Sequence, residues 1–98
     1  MTSVTLSKTP DHYAIEAVGH AEGSVQACAA VSVLMYSILG YLSNVEGVDI
    51  KDWDTADGFF SLEWSGKGAA HTMYEFGKIA FLQLEKSYGD YVAVKVKK

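Results

Sequence analysis

Between Glu22 and Glu46 the chain carries no charged side chain. This segment, GSVQACAAVSVLMYSILGYLSNV, occupies residues 23–45 of a 98-residue sequence. It is too long for a strand, so it reads as one helix around which everything else must be arranged. Ser24 stands at its start, where a hydroxyl can accept from an exposed N–H of the first turn. The helix is expected over residues 25–43, roughly 28 Å at about 1.5 Å per residue. Its apolar side chains are not confined to one stripe. Val31, Leu34, Met35, Ile38, Leu39 and Leu42 are joined by Ala30, Val33, Tyr36 and Tyr41 on other faces. A helix that is apolar nearly all round needs cover on more than one side. A chain of this length has little material for that, so a homo-oligomer is expected.

Such a length would also cross a bilayer. Three features argue otherwise, and no membrane partner is expected. The segment contains Ser24, Gln26, Ser32, Ser37, Gly40, Ser43 and Asn44. Its flanks are acidic, where an inserted helix carries Lys or Arg on one side. Strand-like segments that need a common core lie before and after it.

Those segments complete the pattern. SVTLSK places Val4 and Leu6 on one face, Pro10-Asp11 reads as a turn, and HYAIEAVG alternates again. Together they form a hairpin. VDIKDW is the third strand, DTADG a turn marked by Asp-Gly, and FFSLEW the fourth strand, with Phe60, Leu62 and Trp64 on one face. SGKG breaks it. A second helix is expected from about Ala69 to Tyr88, stopped by Gly89. YVAVKVK closes the chain with Val92, Val94 and Val96 inward. The order β-β-α-β-β-α-β is that of an α+β protein: a single domain over 1–98, its mainly antiparallel sheet packed by two helices.

Composition narrows the function. Hydrophobic residues make up 49% of the chain, which excludes a disordered protein. The net charge is −4 and all eight basic residues are lysine, so the arginine forks that grip phosphate are missing and no nucleic-acid partner is expected. One cysteine cannot close an internal disulfide, and the N-terminal MTSVTLSKTPDHY lacks a basic region followed by an apolar run. Both point to a cytoplasmic protein. The histidines and the cysteine have no recognisable ligand spacing, so neither metal nor other cofactor is expected. DWDTADG at 52–58 departs from a calcium loop, with Asp57 where glycine is required. The acids Glu46, Asp49, Asp52, Asp54 and Asp57 are a solvated edge, or a means of steering a basic substrate.

The chemistry lies in GHAEGSVQACAAVS, residues 19–32. A thiolate is the reactive form of cysteine, and proteins favour it with a helix N-terminus or a neighbouring histidine. Cys28 lies about one turn into the long helix, and His20 lies where the preceding strand ends. Gly19 and Gly23 would let the connection fold the imidazole back over the helix start. The same cysteine also reads as a small buried hydrophobe, and proximity in sequence leaves both readings open.

Gly19-His20-Ala21 at a strand end, a glycine-containing loop, and Cys28-Ala29-Ala30-Val31-Ser32 opening a helix resemble the ribosomal-processing cysteine protease family, Prp. Chain length and element order agree with that family throughout. The resemblance implies a small homodimeric cytoplasmic endopeptidase. It would remove an N-terminal extension from a large-subunit ribosomal protein or, in phage-borne relatives, process a head or scaffold protein. Cys28 would be the nucleophile and His20 the base. We add an expectation that Gly19, Ala21, Gly23, Ser24, Ala27 and Ala29 form the substrate and oxyanion loop, with backbone N–H groups around Ala27 to Ala29 as donors. Two departures stand out: the loop between His20 and Cys28 is a few residues short, and Val25 replaces the family's acidic residue three positions before the cysteine. They favour a phage-encoded or divergent member. They also leave a second class of function, a non-catalytic interaction or assembly module on the same fold.

Overall fold

The structure, a computed structural model, describes residues 1–97. Seven elements follow in the expected order: β1 (Thr2–Lys8), β2 (His12–Val18), α1 (Val25–Asn44), β3 (Val48–Ala56), β4 (Phe59–Gly66), α2 (Ala69–Ser87) and β5 (Val92–Val96). They form one five-stranded sheet in the order β3-β4-β2-β1-β5. Every pairing is antiparallel except β1 with β5, which is parallel. The two hairpins β1-β2 and β3-β4 are therefore joined through β2 and β4, which are not consecutive in the chain. Helix α1 carries the chain from β2 across β4 to the edge strand β3, and α2 carries it from β4 across β2 and β1 to β5.

Alternation along each strand sets which face is covered. Val4 and Leu6, Tyr13, Ile15 and Ala17, Phe60, Leu62 and Trp64, and Val92 are all buried. The register puts Tyr13 beside Trp64, Ile15 beside Leu62 and Ala17 beside Phe60, so these side chains make continuous rows on one face. The opposite face shows Ser3, Glu16, Val18 and Glu63 to solvent. Both helices lie on the apolar face, a two-layer arrangement with a single core. Gly77 of α2 sits at the closest approach: a Cβ there would meet Ile15 Cδ1 at 3.1 Å and Ile38 Cδ1 at 3.2 Å. At one end of the core Tyr13, Trp64 and Tyr74 pack ring to ring, with Tyr13 and Trp64 stacked at 5.8 Å between centroids. Trp64 satisfies its indole N–H on the Ala70 carbonyl at 3.0 Å.

Three sequence expectations change. Val96, expected inward with Val92 and Val94, is exposed at the end of β5. β3 runs to Ala56 rather than ending near Trp53, because Asp54, Thr55 and Ala56 pair with Ser61, Phe60 and Phe59. The turn shrinks to Asp57-Gly58, with Gly58 at φ +71°. Helix α1 buries only one stripe, Ala27, Val31, Met35, Ile38 and Leu42, against the sheet and α2. Val25, Val33, Tyr36 and Tyr41 remain exposed on its outer side. By length and composition alone α1 could cross a membrane; in this fold its inner stripe is core.

Candidate active site

Helix α1 begins as its sequence dictates. Ser24 adopts extended backbone at φ −140°, ψ 103°, and its hydroxyl accepts from the Ala27 N–H at 3.1 Å. Cys28 follows at the end of the first turn, its own N–H donating to the Ser24 carbonyl at 3.2 Å. The thiol is half-buried and not in a disulfide.

His20 arrives from the other side. β2 ends at Val18, and the Gly19 N–H donates to the Gly58 carbonyl at 2.7 Å, carrying the ladder one residue past the strand. The Thr2 hydroxyl donates to the Gly19 carbonyl at 3.2 Å and ties the same peptide to β1. His20 then leaves the sheet edge with 48% of its side chain exposed, its Nε2 3.3 Å from Asp57 Oδ1.

His20 and Cys28 line one cavity of about 240 Å³. Its walls are the end of β1 (Thr2), the β2 end (Ala17, Gly19), one side of α1 (Val31, Ser32, Met35, Tyr36) and the β3-β4 turn from Thr55 to Phe60. Tyr36 meets Phe60 edge to face at 4.8 Å between centroids. The cavity thus brings a thiol and an imidazole together beside an open aromatic shelf of Tyr36, Phe59 and Phe60.

Of the residues expected to shape the site, Gly19, His20 and Cys28 line this cavity. The others do not line it. Ala21 and Ala27 are core. Gly23 passes against the Tyr91 ring, which a Cβ would meet at 3.1 Å. Ser24 is the cap, and Ala29 faces solvent. The donors differ from expectation as well. The Ala27 and Cys28 N–H groups are taken by Ser24, and Ala29 lies within the helical ladder. Among the described residues, the first-turn N–H groups without a partner are those of Val25 and Gln26, as helix geometry requires. Sequence reading did not place the β3-β4 turn as a wall of the site; it had Asp57 in an acidic cluster read as a solvated edge or a means of steering a basic substrate.

Comparison with known proteins supplies the family and the fold. The family described as cysteine protease Prp matches residues 1–93. Among solved structures, the essential ribosomal processing protease Prp from S. aureus with a covalently linked product peptide superposes with a TM-score of 0.85 at 15% identity, covering 99% of this chain and 100% of that one. The same S. aureus protease with a substrate peptide gives 0.79 at 15% identity, over 99% and 100% of the two chains. SMU.848 from Streptococcus mutans gives 0.76 at 19% identity, over 98% and 96%. No curated protein sequence matches. With nearly all of its length matched by the family, this chain belongs to the Prp cysteine proteases.

Proposed function

We propose that this chain is a cysteine endopeptidase in which Cys28 and His20 form the catalytic pair, and that its substrate is the N-terminal extension of a large-subunit ribosomal protein. The observation that carries this is the shared cavity: the only cysteine and a histidine from a different element line one open groove. That a relative of the same fold is described with peptide bound, once covalently, supports a protein substrate.

The chemistry follows from the placement. The Cys28 thiolate attacks the scissile carbonyl carbon, forming a C–S bond while the carbonyl π pair moves to oxygen. Imidazolium of His20 then gives its proton to the leaving amine, the C–N bond breaks, and a thioester remains. His20 next takes a proton from water, hydroxide attacks the thioester, and the thiolate leaves. In a helix, Cα–Cβ bonds tilt towards the N-terminus, so Cys28 leans over the turn that carries the free Val25 and Gln26 N–H groups. We assign the oxyanion to those two free donors, rather than to Ala27 to Ala29, whose N–H groups are already bonded.

A homodimer in the cytoplasm fits the same reading. Val33 and Tyr41 on α1, with Phe76, Ile79 and Leu82 on α2, leave the outer side of the helix layer apolar and exposed. The unpaired Cys28 suits a reducing compartment.

The test is incubation with an N-terminally extended large-subunit ribosomal protein and with a phage head protein, reading product masses, with Cys28→Ala as control. One cut, lost in the variant, establishes nucleophile and substrate class. No cut on either substrate, together with Cys28 alkylating no faster than an ordinary thiol, refutes the protease and leaves an interaction module.

A further inference from the structure

We propose that Asp57 is the positioning residue of this site, holding the His20 imidazole from the tip of the β3-β4 hairpin; the inference rests on the protease reading above. The argument starts from register. β2 and β4 pair Ala17 with Phe60 and Val18 with Phe59, so partners sum to 77. Continuing the count places Gly19 opposite Gly58 and His20 opposite Asp57. The first of these is realised by the Gly19 N–H donating to the Gly58 carbonyl. The second is realised by side chains, His20 Nε2 lying 3.3 Å from Asp57 Oδ1. The imidazole and the carboxylate therefore face each other because the ladder delivers them to one level.

The turn also forms a seat for the ring. A Cβ on Gly58 would stand 3.0 Å from Nε2 and 3.3 Å from Cδ2 of His20, so the imidazole rests directly on the glycine. Carboxylate in front and bare backbone beneath fix one edge of the ring, with Nε2 turned to Asp57. That leaves Nδ1 as the nitrogen available to the thiol and the leaving amine. Position 25, one turn before the nucleophile, holds valine and offers no carboxylate of its own. The ionisable groups that line the cavity are His20, Cys28, Tyr36 and Asp57, and Asp57 is the one carboxyl among them.

Asp57 has 98% of its side chain exposed, so its pull on the ring is that of a screened surface pair. The expected effect is correspondingly modest and depends on salt. Two rates are measured in wild type, Asp57→Asn, Asp57→Glu and His20→Ala. One is cleavage of the extended ribosomal protein as kcat and KM across pH; the other is alkylation of Cys28 by iodoacetamide, which needs no substrate. In Asp57→Asn both kcat and the alkylation rate near neutral pH fall roughly 2–5-fold at low salt. KM is unchanged, the alkaline limb of the kcat profile moves to lower pH, and the deficit shrinks at 1 M salt. Asp57→Glu restores most of the rate. Adding Asp57→Asn to His20→Ala changes nothing further, because the carboxylate acts through the imidazole. If wild type leaves the ribosomal protein uncut but its alkylation still depends on Asp57 through His20, the coupling stands and the ribosomal substrate falls. Alkylation and pH profile indifferent to Asp57 overturn the proposal whether or not peptide is cut.

Discussion

Replacing Gly58 by alanine should injure the site more than the fold, and the structure supplies its own control. Gly58 has φ +71°, where a side chain costs about 1–2 kcal/mol. For a domain of this size each kcal/mol lowers Tm by about 4–8 °C, so strain alone predicts a loss of roughly 4–16 °C. The new methyl would also press on the His20 ring, with Nε2 at 3.0 Å, Cδ2 at 3.3 Å and Cε1 at 3.6 Å. Half-exposed, the imidazole escapes by tilting outward rather than by unfolding the turn. On the proposed pairing of His20 with Cys28, a displacement of a few tenths of an ångström should cost about tenfold in kcat/KM. Gly47 provides the comparison: it too has a positive φ, +84°, but nothing lies within 4 Å of where its Cβ would be. Gly47→Ala should lose similar stability and keep full activity. Calorimetry reads the first quantity; cleavage, or Cys28 alkylation by iodoacetamide, reads the second. Equal activity in the two variants, at matched folded fractions, would refute the seating of His20 on Gly58.

Two further outcomes follow from polar groups at the opposite end of the sheet. The Tyr74 hydroxyl is buried without a hydrogen-bond partner among the described residues, and burial, aided by the Glu75 charge, raises its pKa. Tyr74→Phe should therefore be neutral or stabilising by about 1 kcal/mol in urea denaturation; a loss of more than that would mean the hydroxyl is bonded. The Glu75 carboxyl is held below its usual value of 4.5 chiefly by the hydrogen bond from Lys78, with Lys8 also contributing. A carboxylate favoured in the folded state stabilises above its unfolded pKa, and that stability is lost as pH falls through the folded one. Wild type should thus lose stability on acidification below about pH 4.5 more steeply than Glu75→Gln, and parallel curves would show the contact to be idle.

What was legible in the sequence was local. Hairpin alternation, the Ser24 cap, the glycines that follow β2, β4 and α2, and the Cys28-to-Ser32 block each express their physics within a few residues, and β1, β2, α1, β4 and α2 were all readable from them. What escaped depends on pairing between distant segments. Nothing in DWDTADG shows that it will stand opposite Gly19 and His20, because that follows from β4 joining β2 instead of its own hairpin neighbour alone. The extension of β3 to Ala56 has a different origin, the β3-β4 hairpin itself, which puts Thr55 across from Phe60 and tightens the turn to Asp57-Gly58. Helix α1 illustrates the converse. Its apolar residues surround the axis, and sequence cannot say which of several equivalent stripes meets the sheet; the hairpins choose Ala27, Val31, Met35, Ile38 and Leu42. That choice also aims Cys28 at the cavity. It lies one residue from Ala27, on the flank of the buried stripe, half covered by the core and half open to the groove. A one-residue slip of the cap would rotate it by about 100°, either into the core or out to solvent. The hydroxyl of Ser24 is therefore part of the site's geometry, although it does not line the cavity.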